Sequence, residues 1–117
     1  MSWQIKLSPK ARLDIEQVLD WTLEQFGPIQ HAAYLALIRS ALDEMASDPT
    51  GSRATHRPEL RANVWVFHIT RRGHRARHLF VYRISETNTI DVARFLHDSM
   101  DLIRHLPPDY AAEPSDD

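Results

Sequence analysis

Trp3, Ile5 and Leu7 alternate with Gln4 and Lys6, and a period of two predicts a short strand. Ser8-Pro9 then reads as an N-cap followed by proline at the first helical position. Ala11, Ile15, Val18, Leu19, Thr22 and Phe26 recur at helical spacing, and Gly27-Pro28 closes that helix. A second helix is expected from Ile29 to Ala46, with Tyr34, Leu37, Ile38, Ala41, Leu42 and Met45 on its buried stripe. The run from Ser47 to Gly51 ends it. Two helices joined this tightly must fold back as an antiparallel hairpin.

From Val64 the period changes to two. Val64 to Thr70 and Arg75 to Ser85 read as strands, with Arg71-Arg72-Gly73-His74 as the turn between them. A two-residue turn at Arg72-Gly73 would put Trp65, Phe67 and Ile69 on one face with Phe80, Tyr82 and Ile84. That apolar face should lie on the helices. The other face would mix Val64, Val66, Leu79 and Val81 with His68, Arg75, Arg77 and Arg83. After a turn at Glu86-Thr87-Asn88, Thr89 to Leu96 forms a last strand with Ile90, Val92 and Leu96 as its apolar members. Asp98 to Leu106 reads as a short helical or irregular segment, with Asp101 as its cap. Residues 1–106 thus make one α+β domain: an N-terminal strand and a helical hairpin packed on one face of a twisted antiparallel sheet of three to four strands. Residues 107–117, acidic and proline-rich, form a tail expected to be mobile or ordered only against a partner.

Composition sharpens this picture in one respect. The net charge is −2, yet Arg53, Arg57, Arg61, Arg71, Arg72, Arg75, Arg77 and Arg83 face a single acid, Glu59, between positions 53 and 83. A chain polarised in this way presents one positive surface to an anionic or acidic partner. The sequence pI of about 6.4 argues against general affinity for RNA. No apolar run reaches the roughly 18 residues of a membrane helix, and the first residues do not read as a signal peptide. Cysteine is absent, which excludes disulfides and thiolate metal sites and agrees with a cytoplasmic setting. Three glycines leave no phosphate loop or dinucleotide fingerprint, so no cofactor is expected.

Seven histidines raise the question of a metal. His74 and His78 are four residues apart, roughly 13 Å along an extended strand. One zinc ion cannot bridge that span, and no third or fourth ligand is evident. His97 is expected to fix the end of the last strand by bonding to backbone or carboxylate. Trp21 and Trp65 are expected in core or interface packing.

Several pieces of sequence, in order, resemble the ParE/RelE-type toxins of type II toxin–antitoxin systems. Phe26-Gly27 followed by Ala32-Ala33-Tyr34 is similar to their aromatic-Gly and Ala-x-x-Tyr region. Leu42-x-x-Met45-Ala46-x-x-Pro49 resembles the end of their second helix, and Leu60-Arg61 the opening of their middle strand. Phe80-Val81-Tyr82-Arg83 looks like their Phe-x-Tyr-Arg strand. Ile90 to Asp101, with Leu96-His97-x-x-Met100-Asp101, then Arg104-His105-Leu106, resembles their closing strand and ending. The likeness runs from about Leu7 to Leu106 and is closer to the ParE branch. The Arg53 to Pro58 region, the basic Arg71 to His78 stretch and the acidic tail depart from it.

The resemblance implies a cognate antitoxin whose C-terminal segment wraps the toxin in a hetero-oligomer. It also implies a target, DNA gyrase, inhibited by binding without catalysis. On that reading Arg61, Arg71, Arg72, Arg75, Arg77 and Arg83 are binding residues and no residue is catalytic. The RelE-type alternative is a metal-independent endoribonuclease that cleaves mRNA on the ribosome. It needs a base, an acid and cations around the scissile phosphate. His74, Arg75, Arg77, Tyr82 and His97 are of suitable type, as is His78, while Tyr110 sits in a proline-broken tail and is a poor platform. A further alternative is a degenerate, non-toxic binding module of the same fold.

Overall fold

The computed structural model describes residues 3–70, 76–85 and 88–106. Strand β1 (Gln4–Leu7) leads into helix α1 (Pro9–Phe26) and helix α2 (Pro28–Ser47). Ser8 caps α1, its Oγ accepting the Ala11 amide at 2.9 Å. Gly27 alone separates the helices, at φ +88° and ψ 178°, a backbone state that essentially only glycine adopts. Then follow β2 (Ala54–His56), β3 (Val64–His68), β4 (His78–Ser85), β5 (Thr89–His97) and a 3-10 segment (Leu102–His105). Asn63 and Asn88 take positive φ just before β3 and β5, a conformation asparagine tolerates.

The strands form one sheet in the order β1-β5-β4-β3-β2. It has five strands, more than the three to four expected, and it is mixed: β1 runs parallel to β5, while the other pairs are antiparallel. The N-terminal strand is a member of the sheet and not an element on its face. Strand β2 lies in the stretch whose short polar sequence announced no strand; it forms because Ala54, Thr55 and His56 pair with Phe67, Val66 and Trp65. Phe67 stands opposite Phe80 and Trp65 opposite Tyr82. A turn at Arg72-Gly73 would have set Phe67 against His78, two positions away. Because the offset is even, the division of side chains between the faces survives. The turn itself lies outside the described residues.

Both faces of the sheet carry an apolar cluster. On the helical side Phe67, Ile69, Phe80, Tyr82, Ile90, Val92 and Phe95 meet Ala11, Leu37, Ile38, Ala41 and Met45. The Tyr82 hydroxyl, fully buried, donates to the Pro49 carbonyl at 2.7 Å. On the other side Val64, Val66, Leu79, Val81, Ala93 and Leu96 form a second cluster under Leu60 and Leu102. As expected, this face mixes small apolar groups with a cation: Arg83 stands on it opposite Val64 and Asp91, beside the apolar cluster.

A β-bulge joins the two faces. Val81 stands opposite Arg94 and Tyr82 opposite Val92, which leaves Ala93 as the extra residue on β5. The alternation inverts there, so Ile90, Val92 and Phe95 face the hairpin while Leu96 falls into the second cluster. Arg94 is turned toward α1, where Asp14 takes its Nε at 2.7 Å and one terminal nitrogen at 2.9 Å.

Candidate functional site: a groove beside the helical hairpin

The ends of β4 and β5 bring His78 and His97 face to face as cross-strand partners, their rings edge-on at 5.2 Å. The His78 ring stacks on Phe95, also at 5.2 Å. Tyr34, reaching from α2, places its hydroxyl 2.5 Å from His78 Nδ1. Burial pushes the Tyr34 phenol up to about 12 and His78 down to about 4, with the neighbouring His97 adding to the latter. Near neutral pH both are therefore uncharged, and they share one hydrogen bond. His97 Nδ1 accepts the Ser99 amide at 3.1 Å and lies 3.7 Å from the Asp98 carboxylate, the strand-end role expected of it. Arg77 closes the cluster, its Nε donating to Asp98 at 3.0 Å and 3.2 Å.

This cluster forms the floor of a groove. A hollow of about 670 Å³ runs between Trp21, Phe26, Tyr34, Arg77, His78 and His97. It adjoins a second hollow of about 400 Å³ that continues past Trp21, His78 and His97 to Asp14, Met100 and His105. Trp21 and Phe26 pack edge to face at 5.5 Å on its rim, yet remain 56% and 61% exposed. Phe26 was expected in the buried stripe of α1. It sits in the last turn of α1, next to Gly27, and is exposed. Trp65, by contrast, is half-buried and stacks on His56 at 4.7 Å.

The arginines do not share one fate. Arg53 is a clamp: it pairs with Glu44, donates to the His68 and Thr70 carbonyls, and lies over the Phe67 ring. Arg57 pairs with Glu59. Arg61 donates to the Leu60 carbonyl, and its buried Nε has no partner among the described residues. Arg83 stands opposite Val64 and Asp91 in mid-sheet. Arg77, with an exposed side chain, lies just before the start of that strand, roughly 20 Å away at the usual rise. Arg71, Arg72, His74, Arg75 and Tyr110 lie outside the described residues. Of the alternative catalytic set, Arg77, His78 and His97 come together, whereas Tyr82 is core. Asp101 begins the 3-10 segment without a side-chain capping bond and pairs instead with Arg104 at 3.3 Å. Among the described residues no three His, Asp or Glu side chains converge as a metal site, and no helix is long and apolar enough to cross a membrane.

Sequence reasoning missed the groove itself. One clue was available: Trp21 lies at the edge of the Ala11–Ile15–Val18–Thr22 stripe and not on its centre line. Nothing local announced Arg94, whose orientation depends on the bulge.

A helical hairpin laid on a mixed sheet is also the fold found in two solved toxin–antitoxin structures. The toxin-antitoxin complex RelBE2 of Mycobacterium tuberculosis matches it with a TM-score of 0.56 at 19% identity, over 83% of this chain and 99% of that one. The chromosomal ParDE system of P. aeruginosa matches with a TM-score of 0.65 at 16% identity, over 82% and 96%. At the sequence level, Toxin ParE1 of Mycobacterium tuberculosis is 34% identical over 106 residues, which is 91% of this chain and all of the relative. The model for the ParE toxin of type II toxin–antitoxin systems, parDE, matches residues 5–102. The chain belongs to the ParE toxin family of type II toxin–antitoxin systems.

Proposed function

We propose that this toxin acts in the cytoplasm by binding and inhibiting DNA gyrase, without catalysis, and is silenced by a cognate antitoxin. The observation that carries this reading is the state of the groups a nuclease would need. Tyr82 is buried against Pro49, His78 is neutral and engaged by Tyr34, and Arg77 is paired with Asp98. The far face of the sheet is filled with side chains from Val64 to Leu96. A general base and a free cation placed around one phosphate are what RNA cleavage requires. The adjacency of Arg77, His78 and His97 is the feature that favours the ribosome-dependent alternative.

For the antitoxin, the relevant surfaces are the helical hairpin and the arginines Arg75, Arg77 and Arg83. An acidic segment drawn to Arg75, Arg77 and Arg83 would gain speed and specificity from charge. The purified chain should abolish gyrase supercoiling while leaving messages on translating ribosomes uncut. Discrete codon-linked cuts would overturn the non-catalytic reading. Growth arrest on induction, relieved by co-expressed antitoxin, separates an active toxin from a degenerate module.

A further inference from the structure

We propose that the acidic tail, residues 107–117, docks back onto a cationic pocket between the start of α1, β5 and the 3-10 segment. This concerns the chain's own tail and holds whichever target the toxin has. Three observations support it.

The first is the pocket. A hollow of about 360 Å³ lies against Lys10, Arg94, Arg104, His105 and Leu106, and among the described residues no carboxylate lines it. Lys10 is exposed and has no ion pair among the described residues. Asp14 is already held by Arg94. Asp101 pairs with Arg104, but the two side chains are 59% and 82% exposed, so that pair contributes little and opens easily. Arg12 and Glu16 are opposite in sign, one turn apart on α1 and outside the lining, as is Asp91 on β5.

The second is charge complementarity. The tail carries Asp109, Glu113, Asp116 and Asp117, with no lysine, arginine or histidine. An all-acidic segment is drawn to a cationic hollow. Arg53, Arg57 and Arg77 compete less well, because Glu44, Glu59 and Asp98 already occupy them.

The third is reach. The tail departs from Leu106, which itself lines the pocket. Glu113 is seven residues further on, and a chain of that length spans up to about 25 Å. A tether this short gives an effective concentration of roughly millimolar, so even millimolar affinity keeps the pocket about half filled. Docked there, the tail stays off Arg77 and Arg83, which the antitoxin is proposed to use.

The test uses the full chain. It has no cysteine, so S115C gives a single site for a nitroxide label, whose broadening of amide signals reports where the tail resides. At about 0.1 M salt the Ala11 and Ala93 amides should be broadened, and about 1 M salt should cut that broadening roughly threefold or more. K10E with R104E, both exposed, should cut it as far, with folding confirmed by thermal melting. A tail carrying D109N, E113Q, D116N and D117N should do the same while leaving every pocket residue in place. Broadening that is unchanged by salt and by both sets of substitutions would mean that the tether alone keeps the tail near, and would overturn docking. Broadening centred on Arg77 and His78 would place the tail on the arginines instead and overturn the pocket.

Discussion

His78 shows how one side chain acquires a property its sequence neighbours do not convey. An unfolded chain protonates it near 6.5, but burial against Phe95 and the facing His97 delays this to about 4 in the fold. Between those values the unfolded state holds more protons, so stability falls as pH falls through the window and levels off below about 4. Urea midpoints of wild type should drop more steeply from pH 6.5 to 4 than those of His78→Gln, which has no proton to gain. Parallel profiles would remove His78 as the cause. The sequence supplied the histidine but not its environment, because Tyr34, His78 and His97 are brought together only when α2 lies over the ends of β4 and β5.

At the scale of elements, local pattern was most reliable where it was reinforced by caps. The period of α1 and α2, Ser8-Pro9 at the start and Gly27-Pro28 between them, placed both helices to within a residue or two. Gly27 makes the tightest demand. A Cβ there would meet nothing within 4 Å, so substitution strains only the backbone at φ +88°. Gly27→Ala should destabilise the fold by about 1–3 kcal/mol, measured by urea unfolding. An unchanged midpoint would mean that the hairpin tip relaxes to another conformation. The strands were less legible. Strand β2 is too short for alternation to register, and the bulge at Ala93 breaks the period that placed Leu96 with Ile90 and Val92.

The whole molecule is tied together by a contact that no element contains. Asp14 and Arg94 are only 12% and 15% exposed, and the carboxylate also accepts the Phe95 amide at 3.0 Å. Arg94 in turn donates to the His105 carbonyl at 3.0 Å, so α1, β5 and the 3-10 segment share one polar knot. Removing one partner of such a pair strands the other with poor hydration. Asp14→Ala should cost about 3 kcal/mol or more, and Asp14→Asn less, read from thermal or urea unfolding. A loss no larger than that of an exposed ion pair, under about 1 kcal/mol, would show that the knot is well hydrated. At this scale the arginine-rich stretch also resolves into separate tasks, clamping for Arg53 and surface pairing for Arg77, which a count of charges could not distinguish.

Local sequence was enough for the helical hairpin, the face of the sheet that the hairpin covers, and membership of the ParE family. These follow from periodicity, caps and short motifs, which act over neighbouring residues and need no distant partner. Long-range folding set the rest: a mixed, five-stranded sheet, an apolar cluster on its second face under Leu60 and Leu102, and an open groove rimmed by Trp21 and Phe26. Each of those depends on strand order, a one-residue bulge or the way a helix end meets the sheet. Such features arise from long-range pairing, where the same local pattern is compatible with more than one neighbour.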